Sequence, residues 1–214
     1  SFDRYIEIYN GSENQINLEE FTLSINDNFD EVSESLILNN NEWNSNNNGL
    51  LDPGEVLIVI RNRWANLLGP DYLDYDNNYV QFIEWPGLSL ADGNDAISLF
   101  HNNILIDIIG DESLNDGGWS IAGINDATDS NTIVRKSNVN TGNINWNESA
   151  GTDFDNSEWL VYPVATYSFG GFHEHDLQDC FGIPYGTAVE DCFGICGGDA
   201  VIDDCDVCGG DGSS

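Results

Sequence analysis

The chain has 214 residues, of which 40% are hydrophobic and 11% aromatic, and five Lys and Arg residues oppose 38 Asp and Glu residues for a formal net charge of −33. This length and composition are typical of a globular protein with one full domain and a small appendix, not of a disordered chain. The acidic surface excludes nucleic acid and anionic lipid as partners, because phosphate contacts need Lys and Arg. Since like charges repel within a compact chain, the charge also predicts either a salty environment or bound cations.

Short apolar or alternating runs between Asn, Asp and Gly turns predict β-strands along residues 1–175. In chain order the predicted strands are Arg4–Tyr9, Phe21–Ser24, Ser35–Leu38, Glu55–Ile60, Tyr79–Ile83, Ala96–Phe100, Ile104–Ile109, Thr132–Lys136 and Glu158–Tyr162. No stretch of a dozen residues holds a clean helical period, and residues 62–73 come nearest to one. Strands at this spacing indicate an all-β sandwich or barrel.

Two details of the strand pattern are open to test. Asn102 and Asn103 are expected to form the turn of a β-hairpin, because Asn tolerates the positive φ of a tight turn. Asp107 lies inside an apolar strand, where alternation places it on the face opposite Ile106 and Ile108. This position favours an outward carboxylate or a turn-stabilising hydrogen bond over a catalytic role.

From Asp179 onward the sequence becomes a Cys-, Gly- and Asp-rich repeat with a period of about 12–13 residues. The five Cys residues all lie here, as Cys180, Cys192, Cys196, Cys205 and Cys208. The repeat has too few apolar residues for a core of its own, so disulfides, metal ions or neighbouring repeats must hold it. Its Cys spacing also fits zinc, but the repeat period and the crowded carboxylates favour disulfides with calcium. We therefore divide the chain into a β domain, residues 1–175, and a repeat tail, residues 176–214.

The ends of the chain and its Cys usage bear on location. The chain contains no Met and begins at Ser1. Its apolar runs are only strand-sized, so we expect no signal peptide and no membrane span within it. The missing initiator Met predicts a processed or fragmentary product, most simply one from which a secretory signal was cleaved. With the clustered Cys, this favours a secreted, extracellular or cell-surface protein.

Residues 44–55 have the spacing of a twelve-residue calcium loop. The candidate ligands are Asn44, Asn46, Asn48, Leu50 through its carbonyl, Asp52 and Glu55, with Gly49 at the sharp turn. Asn replaces Asp at the first position, so only Asp52 and Glu55 carry charge. Low ligand charge predicts the weak affinity of extracellular modules. An Asn-rich linker is the alternative.

Further candidate ligands lie in the tail and in one acidic cluster. The tail offers Asp191, Asp199, Asp203, Asp204, Asp206 and Asp211 among glycines. The cluster is formed by Asp71, Asp74 and Asp76, for which a solvated loop is favoured over a cation site.

Catalysis finds little support, and we expect a protein that is not an enzyme. The chain has no nucleophile elbow, no His-Glu-x-x-His motif and no phosphate-binding Gly loop. His173 and His175 lie on one side of an extended segment, where a polar chain end is favoured over a metal site. Six Trp residues suggest either core packing, which is favoured, or a sugar-binding platform; they are Trp43, Trp64, Trp85, Trp119, Trp146 and Trp159.

Several motifs, taken in order, resemble a lamin-tail domain. They are Tyr5–Gly11, Leu18–Leu23, Pro53–Glu55, Gly93–Leu99, Leu105–Gly110 and Gly118–Trp119, with Thr132–Lys136 and Ser157–Pro163 resembling the secreted bacterial branch. The resemblance covers about residues 1–175. It implies an immunoglobulin-like β-sandwich with a non-catalytic adhesive, targeting or assembly role, often attached to secreted nucleases or other enzymes.

Residues 179–214 are similar to the Cys-Gly-Gly-Asp repeats of bacterial surface proteins, which are related in style to thrombospondin type 3 repeats. The resemblance implies Asp-rich, calcium-binding, disulfide-linked repeats. Pro184 stands where the first repeat would have a Cys.

Lamin-tail domains usually begin with a strand before the stretch that matches Ser1–Tyr5, and that strand is absent here. An incomplete sandwich would leave an open sheet edge, which is a template for a strand of another chain. We therefore expect self-association by strand addition, or contacts with other cell-surface proteins.

Together these features predict a non-enzymatic extracellular module with a structural or adhesive role. We expect it to be stabilised by calcium and to assemble into a surface layer or filament. The alternative is an accessory domain, for targeting or carbohydrate binding, of a larger secreted enzyme such as a nuclease.

Overall fold

A computed structural model describes residues 4–27, 32–39, 45–46, 48–61, 81–111, 117–164, 166, 173, 191–198, 200, 203 and 208–209. The chain divides into two compact units, Ser1–His173 and Glu174–Ser214. The all-β prediction is confirmed, because the described residues are mostly strand with little helix. The helical candidate at 62–73 lies outside the described residues. Within the described ranges no helix is long and apolar enough to span a membrane.

The described elements are twelve strands, one α-helix and two short 3-10 helices. The strands are β1 (Tyr5–Tyr9), β2 (Ile16–Asn17), β3 (Phe21–Asp27), β4 (Val32–Ile37), β5 (Ser45–Asn46), β6 (Leu50–Leu51), β7 (Val56–Ile60), β8 (Gln81–Glu84), β9 (Ala96–His101), β10 (Ile104–Ile109), β11 (Asn131–Arg135) and β12 (Trp159–Pro163). The helix is α1 (Trp146–Ala150), and the 3-10 helices span Leu18–Glu20 and Pro86–Ser89.

Eight strands form two four-stranded sheets. The first sheet has the order β1-β7-β8-β5, in which β7 and β8 run parallel. The second sheet has the order β10-β9-β3-β4 and is antiparallel throughout. Two further antiparallel pairs, β11–β12 and β2–β6, complete the described topology.

Both sheets contribute to one central apolar cluster. In β3, Phe21, Leu23 and Ile25 are buried while Thr22 and Ser24 between them are partly exposed, as expected for a strand with one buried face. The cluster comprises Ile8, Leu18, Phe21, Leu23, Ile25, Leu36, Leu38, Leu51, Leu57, Val59, Ile83, Trp85 and Leu88. The two sheets are therefore held together by a shared core.

Every residue of β7 is buried, because the first sheet carries apolar side chains on both faces. Leu57 and Val59 join the central cluster. The alternate residues Val56, Ile58 and Ile60 form a separate cluster with Phe82, against which Tyr5 and Tyr9 pack. Burial on both faces explains why the strand reads as an unbroken apolar run.

A third apolar cluster is built around β11, β12 and α1. Its buried members are Ala96, Ile108, Trp119, Ile121, Ala127, Trp146, Ala150 and Trp159. The ring of Trp146 lies 6.3 Å from that of Trp119 and 6.3 Å from that of Trp159. These three Trp residues and Trp85 are buried, which confirms the favoured core role for them; Trp43 and Trp64 lie outside the described residues.

The predicted hairpin between β9 and β10 is confirmed. Asn102 and Asn103 have φ angles of 49° and 64°, and next to the turn Ile104 pairs antiparallel with His101. Beside the turn, His101 stacks on Phe21 with ring centroids 4.6 Å apart, and its Nε2 lies 3.0 Å from Glu20 Oε2. Hydrogen bonds from His101 and then Asn102 lower the pKa of Glu20, whose side chain is 45% exposed.

Asp107 serves the fold, as the sequence favoured. Its carboxylate accepts two hydrogen bonds from Arg135, at 2.6 and 3.1 Å. The Oδ1 atom also accepts the backbone N–H groups of Ile108 and Asn143, at 3.0 and 2.9 Å. The pairing of β9 with β10 shifts register between Leu105 and Asp107. Asp107 therefore ties the irregular part of β10 to β11 and to the segment around Asn143.

The interactions of Arg135 extend into what we call the Arg135 network, comprising Asp107, Arg135, Ser149, Glu158 and Trp159. Arg135 also lies 3.4 Å from Glu158 Oε2, and its guanidinium carbon is 4.3 Å from the Trp159 ring centroid. The Ser149 hydroxyl donates to Glu158 at 2.8 Å and accepts the Trp159 indole N–H at 2.8 Å. The network joins β10, β11, β12 and α1.

Candidate calcium sites

The predicted calcium loop at 44–55 is part of the strand ladder. Asn44 lies outside the described residues, and only the backbone of Asn46 is described. Ser45–Asn46 pairs with β8, and Leu50–Leu51 pairs with β2. Gly49 has a φ of +82°, which suits its predicted place at the sharp turn. The second half of the loop is therefore held by neighbouring strands and not free as a linker would be.

Two loop oxygens converge on one donor atom. The Leu50 carbonyl and Glu55 Oε2 lie 2.6 and 3.4 Å from Nε2 of Gln81. These oxygens occupy the seventh and twelfth positions of the loop, where a calcium loop supplies a carbonyl and a bidentate carboxylate. A side-chain amide thus stands between two of the oxygens that a cation would use.

Further hydrogen bonds reach one side-chain oxygen each of Asn48, Asp52 and Glu55. Asn48 Oδ1 accepts from Leu50 N at 2.9 Å, and Asp52 Oδ1 accepts from Gln15 Nε2 at 2.6 Å. Glu55 Oε2 accepts from Asp52 N at 2.8 Å. A cation at this loop would have to replace these N–H donors, which is consistent with the weak affinity expected from low ligand charge.

In the tail, Asp191 organises a tight loop. Its Oδ1 accepts the backbone N–H groups of Phe193 and Ile195, both at 2.9 Å. Its own N–H donates to the Ile195 carbonyl at 2.9 Å. The other carboxylate oxygen lies directly against Gly198, where a Cβ atom would overlap it. One oxygen of Asp191 is thus engaged in folding the loop.

The Cys residues described in the tail are oxidised. Cys192 and Cys208 form a disulfide with Cα atoms 5.5 Å apart, and Cys196 is also disulfide-bonded. The disulfide prediction is confirmed for these residues, which are not available as zinc thiolates.

Most other tail candidates cannot be placed. Asp203 is described and half-buried, whereas four tail candidates lie outside the described residues, namely Asp199, Asp204, Asp206 and Asp211. Asp71, Asp74 and Asp76 also lie outside them. In the described ranges no group of three or more His, Cys, Asp or Glu side chains is arranged to hold a metal ion.

The sequence did not predict the roles of three side chains, namely Gln15, Gln81 and His173. Gln81 on β8 and Gln15 just before β2 reach the loop from distant parts of the sequence, and nothing in their local sequence marks them. His173 is buried, where a polar chain end was expected: its ring stacks on Tyr9 at 4.1 Å, and Nε2 lies 3.0 Å from the Val139 carbonyl. His175 lies outside the described residues.

Comparison with family models, with curated proteins and with solved structures gave no match. The resemblance to lamin-tail domains and to thrombospondin type 3 repeats therefore remains a prediction carried by the motifs.

Proposed function

We propose that the chain is a non-enzymatic, extracellular structural or adhesive module that is stabilised by calcium and assembles with copies of itself. Its two sheets would form an immunoglobulin-like β-sandwich. The observation that carries the proposal is the formal net charge of −33 on a compact fold. Repulsion between these negative charges opposes both folding of one copy and contact between copies. Bound divalent cations neutralise part of the charge and therefore reduce both kinds of repulsion.

The loop at 44–55 is the proposed point of entry for calcium in the β domain. Calcium takes six to eight oxygen ligands and would displace the Gln81 amide from between the Leu50 carbonyl and the Glu55 carboxylate. Asn48 and Asp52 would supply further oxygens after small side-chain movements. With few charged ligands, the expected dissociation constant is about 0.1–1 mM, the range of extracellular modules.

The Arg135 network supports a structural reading of the polar groups in the β domain. The network combines two carboxylates and a hydroxyl with the guanidinium group of Arg135. Its Ser149 hydroxyl already donates to Glu158 and accepts the Trp159 indole N–H, and its Asp107 carboxylate is bonded to Arg135. These groups hold strands together.

Thermal unfolding in a calcium titration tests the proposed site. We expect 10 mM calcium to stabilise the protein by about 1.4 kcal/mol if the dissociation constant is about 1 mM. Glu55→Gln should lose this gain, because it removes the bidentate carboxylate. Glu148→Gln is the matched control, since Glu148 is exposed and lies in α1, which is not one of the elements that hold the loop.

Magnesium at equal concentration separates specific binding from screening, because it prefers rigid octahedral sites and keeps its waters. Equal stabilisation by both ions, or an undiminished calcium response in Glu55→Gln, would contradict the proposed loop site.

A further inference from the structure

The two sheets have four edge strands, and the edge at β10 is blocked by the chain itself. The backbone N–H of Ile108 donates to the Asn143 carbonyl at 3.2 Å. Gly142 lies so close to this edge that a Cβ atom there would overlap the Ile106 carbonyl. A strand from another molecule could not add at this position.

The edge strands of the first sheet, β1 and β5, are also poor sites for the addition of another strand. At the end of β1, Tyr9 stacks on His173, and Gly11 lies against the Asn140 carbonyl. Earlier in β1, Tyr5 and Glu7 make further interactions, so the strand is not free. The opposite edge strand, β5, is only two residues long. The edge at β1, which the sequence predicted to be open, is therefore not the best place for strand addition.

The remaining edge strand is β4, whose outer side pairs with no other described strand. Leu38 N donates to the Phe21 carbonyl, so Leu38 and Phe21 form a hydrogen-bonded pair. This pair determines which residues of β4 bond to β3 and which do not. Because bonded and non-bonded pairs alternate in an antiparallel ladder, the N–H and C=O groups of Ser33, Ser35 and Ile37 point away from β3. These are the groups that a further strand would use.

The second half of β4 has uncharged neighbours on β3. Within β4 only Glu34 is ionisable, and the cross-strand neighbours of Ser35 and Ile37 on β3 are Ser24 and Thr22. The Ile37 side chain is 54% exposed. A second copy also carries a net charge of −33, so it meets the least repulsion where it touches uncharged side chains.

We propose that β4 pairs antiparallel with β4 of a second copy, about a two-fold axis at Ser35. This inference rests on the proposed self-assembly and names its first contact. In this register Ser35 faces Ser35 of the second copy, and Ser33 faces Ile37, so each outward N–H and C=O finds a partner. The β10-β9-β3-β4 sheets of the two copies then form one continuous sheet.

The same register predicts how the charge of Glu34 affects the stability of the dimer. It faces Leu36 of the second copy, while the two Glu34 residues become diagonal neighbours about 7–8 Å apart. The repulsion between them weakens the pairing. Removing both charges with Glu34→Gln should lower the dimer dissociation constant about two- to threefold at low salt.

Sedimentation velocity over a range of concentrations, with calcium and with chelator, tests the pairing. Ser35→Pro removes an outward N–H but no bond to β3, and Pro is tolerated on an edge strand in this orientation. We expect Ser35→Pro to be monomeric with an unchanged circular dichroism spectrum, while the matched control Ser35→Thr still dimerises. Ile37→Glu adds a negative charge that the acidic second copy repels and should also give a monomer, which keeps the test decisive if Ser35→Pro unfolds.

The outcomes separate this inference from the proposed function. Self-association of the wild type that is unaffected by Ser35→Pro, Ile37→Glu and Glu34→Gln would overturn the β4 pairing and leave self-assembly standing. A β4-dependent dimer that never grows and ignores calcium would support the pairing and overturn the calcium-stabilised assembly. A wild-type chain that is monomeric at every concentration would overturn both.

Discussion

Replacing Arg135 by Met should destabilise the β domain strongly. The Arg135 side chain is 13% exposed and the Asp107 side chain 23% exposed, and they are joined by two hydrogen bonds of 2.6 and 3.1 Å. Removing one partner of a buried ion pair costs roughly 3–5 kcal/mol. Because Asp107 keeps some contact with water, we expect a loss near the lower end, about 3 kcal/mol in urea unfolding at fixed calcium. For a chain of this length that corresponds to a fall of about 6–12 °C in Tm.

A double-mutant cycle shows whether this loss comes from the ion pair. Asp107→Asn keeps an oxygen for the N–H groups of Ile108 and Asn143 but carries no charge. We expect Arg135→Met combined with Asp107→Asn to be more stable than Arg135→Met alone, with a coupling of about 1–2 kcal/mol. Arg135→Lys keeps the charge without the bidentate fork and should fall between wild type and Arg135→Met. A loss below about 0.5 kcal/mol for Arg135→Met would refute the role assigned to the network.

Three further predictions concern the hairpin, a glycine and the tail. Because hydrogen bonds lower the pKa of Glu20, its carboxylate stabilises the fold above the ordinary carboxyl pKa, and this contribution is lost as the pH falls through the lowered value. Calorimetry should therefore show a smaller drop in Tm between about pH 6 and pH 3 for Glu20→Gln than for wild type, and an equal drop would count against the interaction. Gly110 has a φ of +88° and lies against a buried indole ring, so Ala there should cost at least about 2 kcal/mol in urea unfolding. Gly54→Ala, with a φ of +82° and no atom within 4 Å, should cost only about 1 kcal/mol, and equal losses would contradict the overlap. Replacing Cys192 and Cys208 by Ser opens a link with a sequence separation of 16, worth about 3 kcal/mol to the tail. Limited proteolysis with mass spectrometry should show faster cleavage in the tail, and unchanged rates would show that other contacts hold it.

The longer strands could be predicted because their signal is local, whereas the two-residue strands β2, β5 and β6 were not predicted. The run Ala96–Phe100 differs from β9 by one residue at its end, and Ile104–Ile109 matches β10. β7 was predicted from an unbroken apolar run, although only the structure shows that two different clusters bury its two faces. Apolar patterning reveals where a strand lies but not which core each face meets.

The candidate site could be predicted only in part, because its partners come from distant parts of the chain. The spacing of residues 44–55 identified the loop, whereas the amide between its oxygens belongs to Gln81 on β8. Similarly, Asp107 was recognised as structural, but its partner Arg135 is 28 residues away. Neither side chain differs locally from any other polar residue in a strand.

The particle size of the native protein, measured by light scattering and negative-stain microscopy with calcium and then with chelator, tests the central claim most directly. A calcium-stabilised structural module predicts large ordered assemblies that come apart on chelation. A monodisperse monomer under both conditions would contradict it and would favour an accessory domain of a larger secreted protein.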